Sequence, residues 1–512
     1  MHAAPLPIYP VSAIRDLEAL AIPGAMPPLM ERAGEAAATL ALSLLKTPAA
    51  VLIACGPGNN GGDGFVMARL LRDAGHAVHI AFAADPERLP ADAASAHAAW
   101  LAAGGETLPE LPPTPPGGWA LVVDALFGIG LQRPLEGRYA EWIDSLNTQP
   151  CPRLALDIPS GLDADTGRCL GPCFAATHTL SFIALKPGLL TLDGPDQCGL
   201  VQVAALGLDP QALLPAPGHS IAPGLFETRL RPRRRNSHKG SHGDVAVIGG
   251  APGMVGAALL AGRAAASLGA GRVLVGLLDP SALSVDPLRP ELMFRTATAL
   301  LEGPLPNALV VGPGLGQSDN AGRCVDQAIG LPVPLLLDAD ALNLLALSAA
   351  RQETLARRQH PTLLTPHPAE AARLLACGTT EVQADRLAAA RRIARRLQAW
   401  VVLKGCGSIV AAPDGAWWIN SSGNPAMATA GMGDVLSGLV GTLLAGGWNA
   451  GEALLAGVHL HGCAGDHLSA TLNIDSGLLA DEMSTAARHC FNAWIRPPTM
   501  RDTATWDGPA HP

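Results

Sequence analysis

The sequence alternates short apolar runs with longer amphipathic stretches, and this alternation occurs twice. Short apolar runs that end at Gly, Pro or Asp are typical of buried strands, and amphipathic stretches between them are typical of helices. The apolar runs of the first half lie at 49–56, 76–83, 119–128, 152–161 and 178–185. Those of the second half lie at 243–250, 272–279, 307–316, 333–343, 361–370 and 399–408. The pattern predicts an α/β protein with two parallel sheets, each flanked by helices.

A segment rich in proline and arginine, residues 208–238, separates the two halves. Its arginines are Arg229, Arg231, Arg233, Arg234 and Arg235. We interpret the segment as a solvated connector rather than a phosphate-binding surface, because these arginines belong to no predicted strand end or helix terminus. The predicted domains are therefore 1–222 and 223–492. Residues 493–512 have little apolar pattern and are predicted to form a C-terminal tail.

The amino-acid composition excludes several classes of protein. With 48% hydrophobic and 15% charged residues, the 512-residue chain can bury large cores, which excludes global disorder. A net charge of −9 has the wrong sign for a general nucleic-acid or anionic-membrane binder. The ten cysteines contain no CxxC pair, so neither a disulfide framework nor a zinc site is indicated. The first twenty residues lack the basic and apolar segments of a secretory signal, so we expect a cytoplasmic protein.

The first half carries polar groups at the ends of several predicted strands. A glycine-rich turn at 56–64 joins a strand to a helix, where backbone amides and the helix N-terminus can bind an anion. Asp124 and Asp157 each end another apolar run. Because the carboxyl ends of parallel strands line one crevice, we expect Asn60, Asp124, Asp157 and Ser160 to converge there. Two structural alternatives remain: the glycines form only a tight turn, and each aspartate only caps the next helix.

The second half contains a glycine-rich turn that opens a long apolar helix at 431–445. Amides of Gly431, Met432 and Gly433 would form an anion hole for a phosphoryl group in transfer. Asp434 would then be placed to accept a proton from the acceptor hydroxyl. The alternative is that Asp434 only caps the helix.

Other strand ends of the second half point to the same crevice. Residues 337–343 include Asp338, Asp340 and Asn343, and residues 365–370 include His367 and Glu370. A lysine and a glycine turn follow the last apolar run at 404–408 and suit nucleotide phosphates. Only four of the 35 basic residues are lysines, so a lysine at such a place indicates a specific role.

The first half closely resembles the NAD(P)H-hydrate epimerases. The motifs that carry the resemblance are GNNGGDG at 58–64, VVDALFGIGLQRPL at 122–135, LDIPSGLDADTG at 156–167 and FIALKPGL at 182–189. The resemblance implies a Rossmann-like three-layer α/β domain in which Asn60, Asp124 and Ser160 hold a potassium ion. Lys186 stands where the family has a lysine, and a salt bridge at the edge of the core is an equally open interpretation.

The same resemblance implies the residues that bind the hydrated dinucleotide. They are Asn59, Asn60, Gly61, Gly62, Asp63, Gly128, Ile129, Gly130, Leu131, Gln132, Arg133, Pro134 and Asp157. The family reaction inverts the hydroxyl-bearing C6 of the damaged nicotinamide ring. A carboxylate near C6 would act as general acid and base, and we assign that role to Asp157.

The second half, from about residue 235 to 490, resembles the ADP-dependent NAD(P)H-hydrate dehydratases, which are ribokinase-like α/β proteins. The motifs lie at 237–261, 337–343, 365–370, 404–408 and 431–445. The likeness implies that the hydrate contacts Ala257, Gly316, His367 and Asp434. It implies that the adenine nucleotide contacts Lys404, Gly405, Cys406, Gly407, Ser408 and Gly433. Magnesium would screen the nucleotide phosphates with help from Glu370, and ADP would be the co-substrate.

Together the resemblances imply a bifunctional repair enzyme for hydrated NADH and NADPH. The first domain would interconvert the R and S forms, and the second would phosphorylate the C6 hydroxyl of the S form and eliminate phosphate, leaving AMP. We also expect a homo-oligomer that binds neither nucleic acid nor membrane. Two alternatives remain, a non-catalytic binding module for the first domain and a vitamin-precursor or sugar kinase for the second. The residues Asn60, Asp124 and Asp157 argue against the first alternative, and the motifs at 337–343 and 365–370 argue against the second.

Overall fold

The computed structural model describes residues 2–21, 24, 26–46, 48–282 and 284–496, and these form two compact units. The first unit is residues 6–219, and the second is residues 2–5 together with 220–496. Both are α/β, as the alternating pattern predicts. The predicted tail, 493–512, begins inside the last helix, which ends at Ile495, and residues 497–512 lie outside the described part of the chain.

The first unit is built on a seven-stranded sheet in which all strands are parallel. The strands of this unit are β1 (Pro7–Ile8), β2 (Ala50–Cys55), β3 (Ala77–Phe82), β4 (Thr107–Leu108), β5 (Leu121–Ala125), β6 (Arg153–Leu156), β7 (His178–Phe182), β8 (Leu200–Ala204) and β9 (Gly218–Ser220). The sheet has the order β4-β3-β2-β5-β6-β7-β8, while β1 pairs antiparallel with β9. The helices are α1 (Val11–Ala21), α2 (Leu29–Leu44), α3 (Asn59–Asp73), α4 (Ala91–Ala102), α5 (Arg138–Asn147), α6 (Gly194–Cys198) and α7 (Pro210–Leu213).

Strand β2 shows how the apolar runs produce three layers. Its side chains alternate between the two faces of the sheet, as the two-residue period of a strand requires. Val51 and Ile53 join a core formed with α2, α3 and α4, whereas Leu52 and Ala54 join a second core that includes Trp142 of α5. Both faces of the strand are buried, which explains why the run is continuously apolar rather than alternating.

The glycine-rich turn after β2 is shorter than predicted, because α3 already begins at Asn59. Most of the motif's glycines therefore lie in the first turns of the helix, where they allow close packing. A Cβ atom on Gly61 would lie 2.1 Å from the carbonyl oxygen of Gly56, and one on Gly64 would lie 2.7 Å from the Cβ of Ala125. The glycines thus bring the N-terminus of α3 against the ends of β2 and β5.

The second unit is built on a larger sheet. Its strands are β10 (Asp244–Gly249), β11 (Arg272–Leu277), β12 (Met293–Thr296), β13 (Ala308–Val311), β14 (Leu335–Leu337), β15 (Thr362–Leu364), β16 (Trp400–Leu403), β17 (Ile409–Ala411) and β18 (Trp417–Ile419). Their order is β18-β17-β16-β15-β14-β13-β10-β11-β12. All pairs are parallel except β16–β17 and β17–β18, which are antiparallel. The links 404–408 and 412–416 are too short for a parallel crossover, so residues 404–408 form a hairpin loop.

Helices cover the sheet of the second unit. They are α8 (Val255–Leu268), α9 (Ala297–Leu301), α10 (Asp319–Gly330), α11 (Ala339–Ala346), α12 (Ala349–Ala356), α13 (Pro368–Leu375), α14 (Thr379–Ala384), α15 (Arg386–Leu397), α16 (Met432–Ala445), α17 (Ala450–Leu472) and α18 (Ala480–Ile495). The apolar stretch that begins at Val435 is buried in α16, where it packs with α8, α17 and α18. Among the described residues, no helix has the length and apolarity needed to cross a bilayer.

The arginines of the predicted connector are mostly exposed. Residues 231–235 are solvent-accessible, although Arg233 donates a 2.5 Å hydrogen bond to the carbonyl of Gly269 after the end of α8. Arg229 forms an ion pair with Glu452 at 2.7 Å. These contacts fit a surface segment anchored at two points.

The packing of α16 against α8 depends on Gly438. A Cβ atom there would lie 2.1 Å from the backbone oxygen of Ala261, so Gly438→Ala must push the two helices apart. We expect a loss of about 1–3 kcal/mol in the free energy of unfolding, measured by urea denaturation. Gly446→Ala after the same helix is the matched control, because the nearest atoms would lie at an ordinary 3.4 Å. Equal effects of the two substitutions would contradict this account.

Candidate functional sites

The first unit contains a cavity of about 390 Å³ at the carboxyl ends of its central strands. Its lining comes from α1, the start of α3, the segment that follows β5, and the ends of β6 and β7. The sequence-predicted residues in this lining are Asn59, Asn60, Asp63, Gly128, Ile129, Gly130, Leu131 and Asp157. Gly61 and Gly62 are buried within α3, and Gln132, Arg133 and Pro134 lie outside the lining.

Asp157 is held at the cavity wall by a buried ammonium group. Lys186 is fully buried, and its Nζ lies 2.5 Å from Oδ1 of Asp157. The same Nζ donates to the Ser181 hydroxyl and to the Phe182 carbonyl, both at 2.9 Å. The other carboxylate oxygen of Asp157 accepts from the amide of Ile129 at 3.2 Å. The carboxylate therefore has a fixed orientation and a cation that compensates its charge.

The backbone at Asp157 adds a second constraint. Its φ of 67° lies in the left-handed region, which is costly for residues other than glycine and is found most often at functional sites. The unusual conformation turns the chain sharply after β6, so that the next residues, including Ser160, come back beneath β5.

Asp124 and Ser160 form a buried polar pair behind the cavity. The Ser160 hydroxyl donates to Oδ1 of Asp124 at 2.7 Å, and the Ser160 amide donates to Oδ2 at 2.7 Å. Burial raises the pKa of Asp124 to about 6 even though these hydrogen bonds oppose the shift. The Ser160 hydroxyl also accepts from the Phe127 amide at 2.8 Å. The pair is therefore joined to the segment that lines the cavity.

Asn60 stands out because both polar atoms of its buried amide lack a hydrogen-bond partner. Its side chain lies beside Gly128, since a Cβ on that glycine would be 3.6 Å from the amide carbon of Asn60. Buried amides are almost always hydrogen-bonded, so an unpartnered one indicates a missing ligand. The amide oxygen, the Asp124 carboxylate and the Ser160 hydroxyl are all hard oxygen donors. Such a donor set fits the potassium ion that the sequence resemblance implies.

Two further carboxyl groups face the cavity. Asp63 is buried, and burial together with Asp157 and Glu18 raises its pKa well above the usual range. Glu18, on α1, has a pKa raised by burial and by Asp157. The contribution of Glu18 and Arg15 of α1 to this lining was not predicted, because α1 lies far from every recognised motif in the chain.

The second unit has its own lysine–aspartate pair. Nζ of Lys404 lies 2.9 Å from Oδ1 of Asp338, and the Ser437 hydroxyl donates to the other oxygen of Asp338 at 2.7 Å. Burial alone would lower the pKa of Lys404, but Asp338 and Glu370 keep it above its usual value. This pair connects the end of β14, the end of β16 and the body of α16. Ser437 lies inside the motif at 431–445, but no role was predicted for it from the sequence.

Asp434 does not cap α16. The N-cap is Gly431, whose φ of 90° suits glycine, and Asp434 has no hydrogen-bond partner among the described residues. Burial raises the pKa of Asp434 to about 7, and the nearby Asp338 adds to the shift. Lys404 faces the same helix start, because a Cβ on Gly433 would lie 3.1 Å from its Nζ. The helix N-terminus thus presents free amides, one carboxyl group and one ammonium group.

His367 and Glu370 have a structural role that the motif alone does not reveal. They form a capping box on α13, in which the His367 amide donates to Oε2 of Glu370 at 2.8 Å. The Nδ1 of His367 also accepts from the amide of Ala369 at 3.1 Å. Burial raises the pKa of Glu370 to about 7 and lowers that of His367. Any ligand role of these two side chains is additional to this cap.

The remaining predicted residues lie on two loops and at the start of α8. The amide of Gly316 donates to Oδ2 of Asp340 at 2.9 Å, and Ala257 lies in the first turn of α8 beside Gly314. Gly405, Cys406, Gly407 and Ser408 form the hairpin loop after β16, where Cys406 is exposed. Buried Arg386 supports this loop by donating to the Lys404 carbonyl at 3.3 Å, a contact that the sequence did not indicate.

Comparisons with known proteins match both units. A family model described as "YjeF-related protein N-terminus" matches residues 27–188, and one described as "NAD(P)H-hydrate dehydratase" matches residues 245–488. The bifunctional NAD(P)H-hydrate repair enzyme Nnr of Escherichia coli (strain K12) is 41% identical over 468 residues, which cover 90% of this chain and 88% of that protein. The bifunctional NAD(P)H-hydrate repair enzyme of Leishmania major is 39% identical, with 86% of this chain and 85% of that protein covered.

A solved structure also matches part of the chain. The ADP/ATP-dependent NAD(P)H-hydrate dehydratase of Bacillus subtilis, co-crystallized with ATP/Mg2+, is 31% identical. The match covers 52% of this chain and 97% of that one, with a TM-score of 0.45.

The ion pair of Lys186 allows a direct test of how Asp157 is held. Lys186→Met keeps an aliphatic side chain but leaves the Asp157 carboxylate buried without its cation. We expect the free energy of unfolding to fall by about 3–5 kcal/mol in urea denaturation of the full chain. Lys46→Met, at an exposed lysine of the same unit, should have no measurable effect. A Lys186→Met variant with the free energy of unfolding of the wild type would show that the ion pair does not stabilise the fold.

Proposed function

The chain belongs to the family of bifunctional NAD(P)H-hydrate repair enzymes, and we infer that each of its two units catalyses one of the two reactions. The first unit interconverts the R and S forms of hydrated NADH and NADPH. The second unit dehydrates the S form to NAD(P)H at the expense of ADP. The observation that carries the assignment is the pair of lysine–aspartate contacts, Lys186–Asp157 and Lys404–Asp338. Each lies near a further carboxyl group close to the start of a helix, Asp63 in the first unit and Asp434 in the second.

In the first unit the hydrated nicotinamide ring would occupy the cavity beside Asp157. The carboxylate is fixed by Lys186 and by the Ile129 amide, so one oxygen can face C6 of the ring and exchange a proton with it. The amides at the start of α3 would bind the dinucleotide's phosphates, as helix N-termini do for anions. The residues we propose for dinucleotide binding are those of the cavity lining named above together with Gly61, Gly62, Gln132, Arg133 and Pro134.

Potassium would be held by Asn60, Asp124 and Ser160. A bound cation would give the unpartnered amide oxygen of Asn60 a partner. It would also compensate the charge of the Asp124 carboxylate, whose pKa is raised by burial. When bound, the ion supplies positive charge that neutralises Asp124 and fixes the segment after β5. The protein's own groups then position the ring and move the protons.

In the second unit Asp434 would accept the proton of the C6 hydroxyl. The hydroxyl oxygen attacks the terminal phosphorus of ADP, AMP leaves, and the phosphate group is then eliminated from C6 to restore the dihydropyridine ring. The free amides of Met432 and Gly433 and the ammonium of Lys404 would stabilise the charge that develops on the transferred group. Ala257, Gly316 and His367 would contact the hydrate, and Gly405, Cys406, Gly407 and Ser408 the nucleotide.

Magnesium would enter with the nucleotide. Within the described residues, no group of three His, Cys, Asp or Glu side chains is arranged to hold a metal ion. Glu370 caps α13 through Oε2, so its help in holding magnesium would be additional to that cap. Magnesium supplies charge neutralisation of the ADP phosphates when bound.

The two activities can be separated with two aspartate variants. A mixture of R and S hydrates of NADH is incubated with ADP, magnesium and potassium, and recovery of the reduced-nicotinamide absorbance is followed. Asp434→Asn should abolish recovery, because no base remains for the hydroxyl. Asp157→Asn should allow recovery of the S portion alone, and the R portion should follow only at the spontaneous rate.

Asp319→Asn, an exposed aspartate in the first turn of α10, is the control and should behave as the wild type. Recovery of both epimers by Asp157→Asn would contradict the role of Asp157. Recovery without conversion of ADP to AMP would contradict the reaction proposed for the second unit, and phosphorylation of a sugar or vitamin precursor instead would favour the kinase alternative.

The potassium site predicts a cation-specific stabilisation. Potassium at 100 times its Kd should stabilise the wild type by about 2.7 kcal/mol relative to tetramethylammonium at the same ionic strength. Asn60→Ala should remove most of that difference. It should cost little without potassium, because the amide has no partner in the protein to lose. Asn320→Ala, at an exposed position of the other unit, controls for general salt effects. An unchanged potassium response in Asn60→Ala would contradict the site.

A further inference from the structure

Asp63 is a buried carboxyl group at the proposed dinucleotide-binding site. Binding the dinucleotide does not require it to take part in the chemistry. It lies in the first turns of α3, faces the cavity of the first unit and is only 8% exposed. Neither a hydrogen bond nor an ion pair is made by its carboxyl group among the described residues. A buried carboxyl without donors cannot keep a negative charge at low cost.

The charged groups around Asp63 increase that cost. Asp157 and Glu18 are the carboxyl groups that repel a charge on it, and the Cys55 thiol lies next to it at the end of β2. Two cations are near: Lys186 is already bound to Asp157, and Arg15 of α1 is exposed at the cavity mouth. Burial and the two carboxylates hold the pKa of Asp63 well above its usual range. A buried carboxyl group with no donor beside two other carboxyl groups therefore favours its protonated form.

The cavity thus holds two aspartates in opposite surroundings. Lys186 and backbone amides compensate a negative charge on Asp157, whereas no described donor or cation pairs with Asp63. Two carboxyl groups whose surroundings separate their protonation states are the usual arrangement for paired acid and base catalysis. Inversion at C6 can use such a pair when a hydroxyl leaves one face of the ring and water adds to the opposite face.

We propose that Asp63 is the general acid of the epimerase and that Asp157 is its general base. The inference rests on the epimerase function proposed for the first unit and adds a step to it. The Asp63 proton moves to the C6 hydroxyl, the C6–O bond breaks and water leaves. The lone pair of N1 forms a C6–N1 double bond with a positive charge on the ring.

A second water then attacks C6 from the other face. Asp157 takes one proton from this water as the new C6–O bond forms, and the electron pair of the C6–N1 double bond returns to N1. The protein ends with Asp63 ionised and Asp157 protonated, which is the starting state for the reverse inversion. Exchange of one proton with solvent restores the original state, so nothing is oxidised or reduced.

The first test uses the pure R form of hydrated NADH with the full chain, ADP, magnesium and potassium. Asp63→Asn should slow the R-to-S step at least 100-fold, within the range typical for loss of a general acid. Dehydration of the pure S form should keep the wild-type rate, which shows that the second unit is intact. Asp73→Asn, an exposed aspartate at the end of the same helix, is the matched control and should epimerise normally.

The second test uses the wild-type protein, so it does not depend on how well Asp63→Asn folds. In water labelled with oxygen-18, every inversion should place one solvent oxygen on C6. The R-to-S rate of the wild type should also fall at alkaline pH, as Asp63 loses its proton.

The outcomes distinguish failure of the proposed epimerase function from failure of the role proposed for Asp63. If the wild type does not epimerise the R form, the proposed function of the first unit fails. If it epimerises but Asp63→Asn does so equally well, or if inversion proceeds without label from water, the assignment of Asp63 as general acid is wrong.

Discussion

A buried ammonium group next to a strand-end carboxylate is the interaction on which each site depends. Parallel strands deliver their carboxyl ends to one edge of the sheet, and an aspartate placed there leaves water as the fold closes. Such a charge is stable only beside a cation. Lys186 and Lys404 provide that cation, whereas the other two lysines, Lys46 and Lys239, are exposed. The scarcity of lysine in the sequence therefore marked the two positions where a compact, buried positive charge is required.

The two pairs differ in how completely the lysine is used. Lys186 is fully buried and has three oxygen partners, so its charge belongs to Asp157 and fixes that carboxylate. The side chain of Lys404 is 22% exposed and has one carboxylate partner in Asp338, so it can also face an incoming anion at the start of α16. In the proposed reactions the first pair would prepare a carboxylate for proton exchange, and the second would prepare an ammonium group for phosphate.

Much of this arrangement was predictable from the sequence. Each apolar run became a strand, and convergence of Asn60 and Asp157 followed from sheet geometry. The antiparallel hairpin at 404–408 was missed although its five-residue length excludes a crossover. The capping box of His367 could not be distinguished from a ligand-binding motif by its sequence alone. The contribution of α1 to the cavity wall could not be predicted. It depends on how the helix packs against the sheet, and packing of this kind has no local sequence pattern.

The glycines of the two motifs connect packing to chemistry. In α3 they let the helix start lie against neighbouring backbone, and in α16 Gly431 and Gly433 let it lie close to neighbouring side chains. Both arrangements bring free amides and one aspartate of the first turns to the site. That aspartate is Asp63 in one unit and Asp434 in the other, and neither has a hydrogen-bond donor. Burial therefore raises the pKa of both. The lysine of each site is bound to a different aspartate, so in the proposed mechanisms Asp63 and Asp434 are the groups that would exchange protons with substrate.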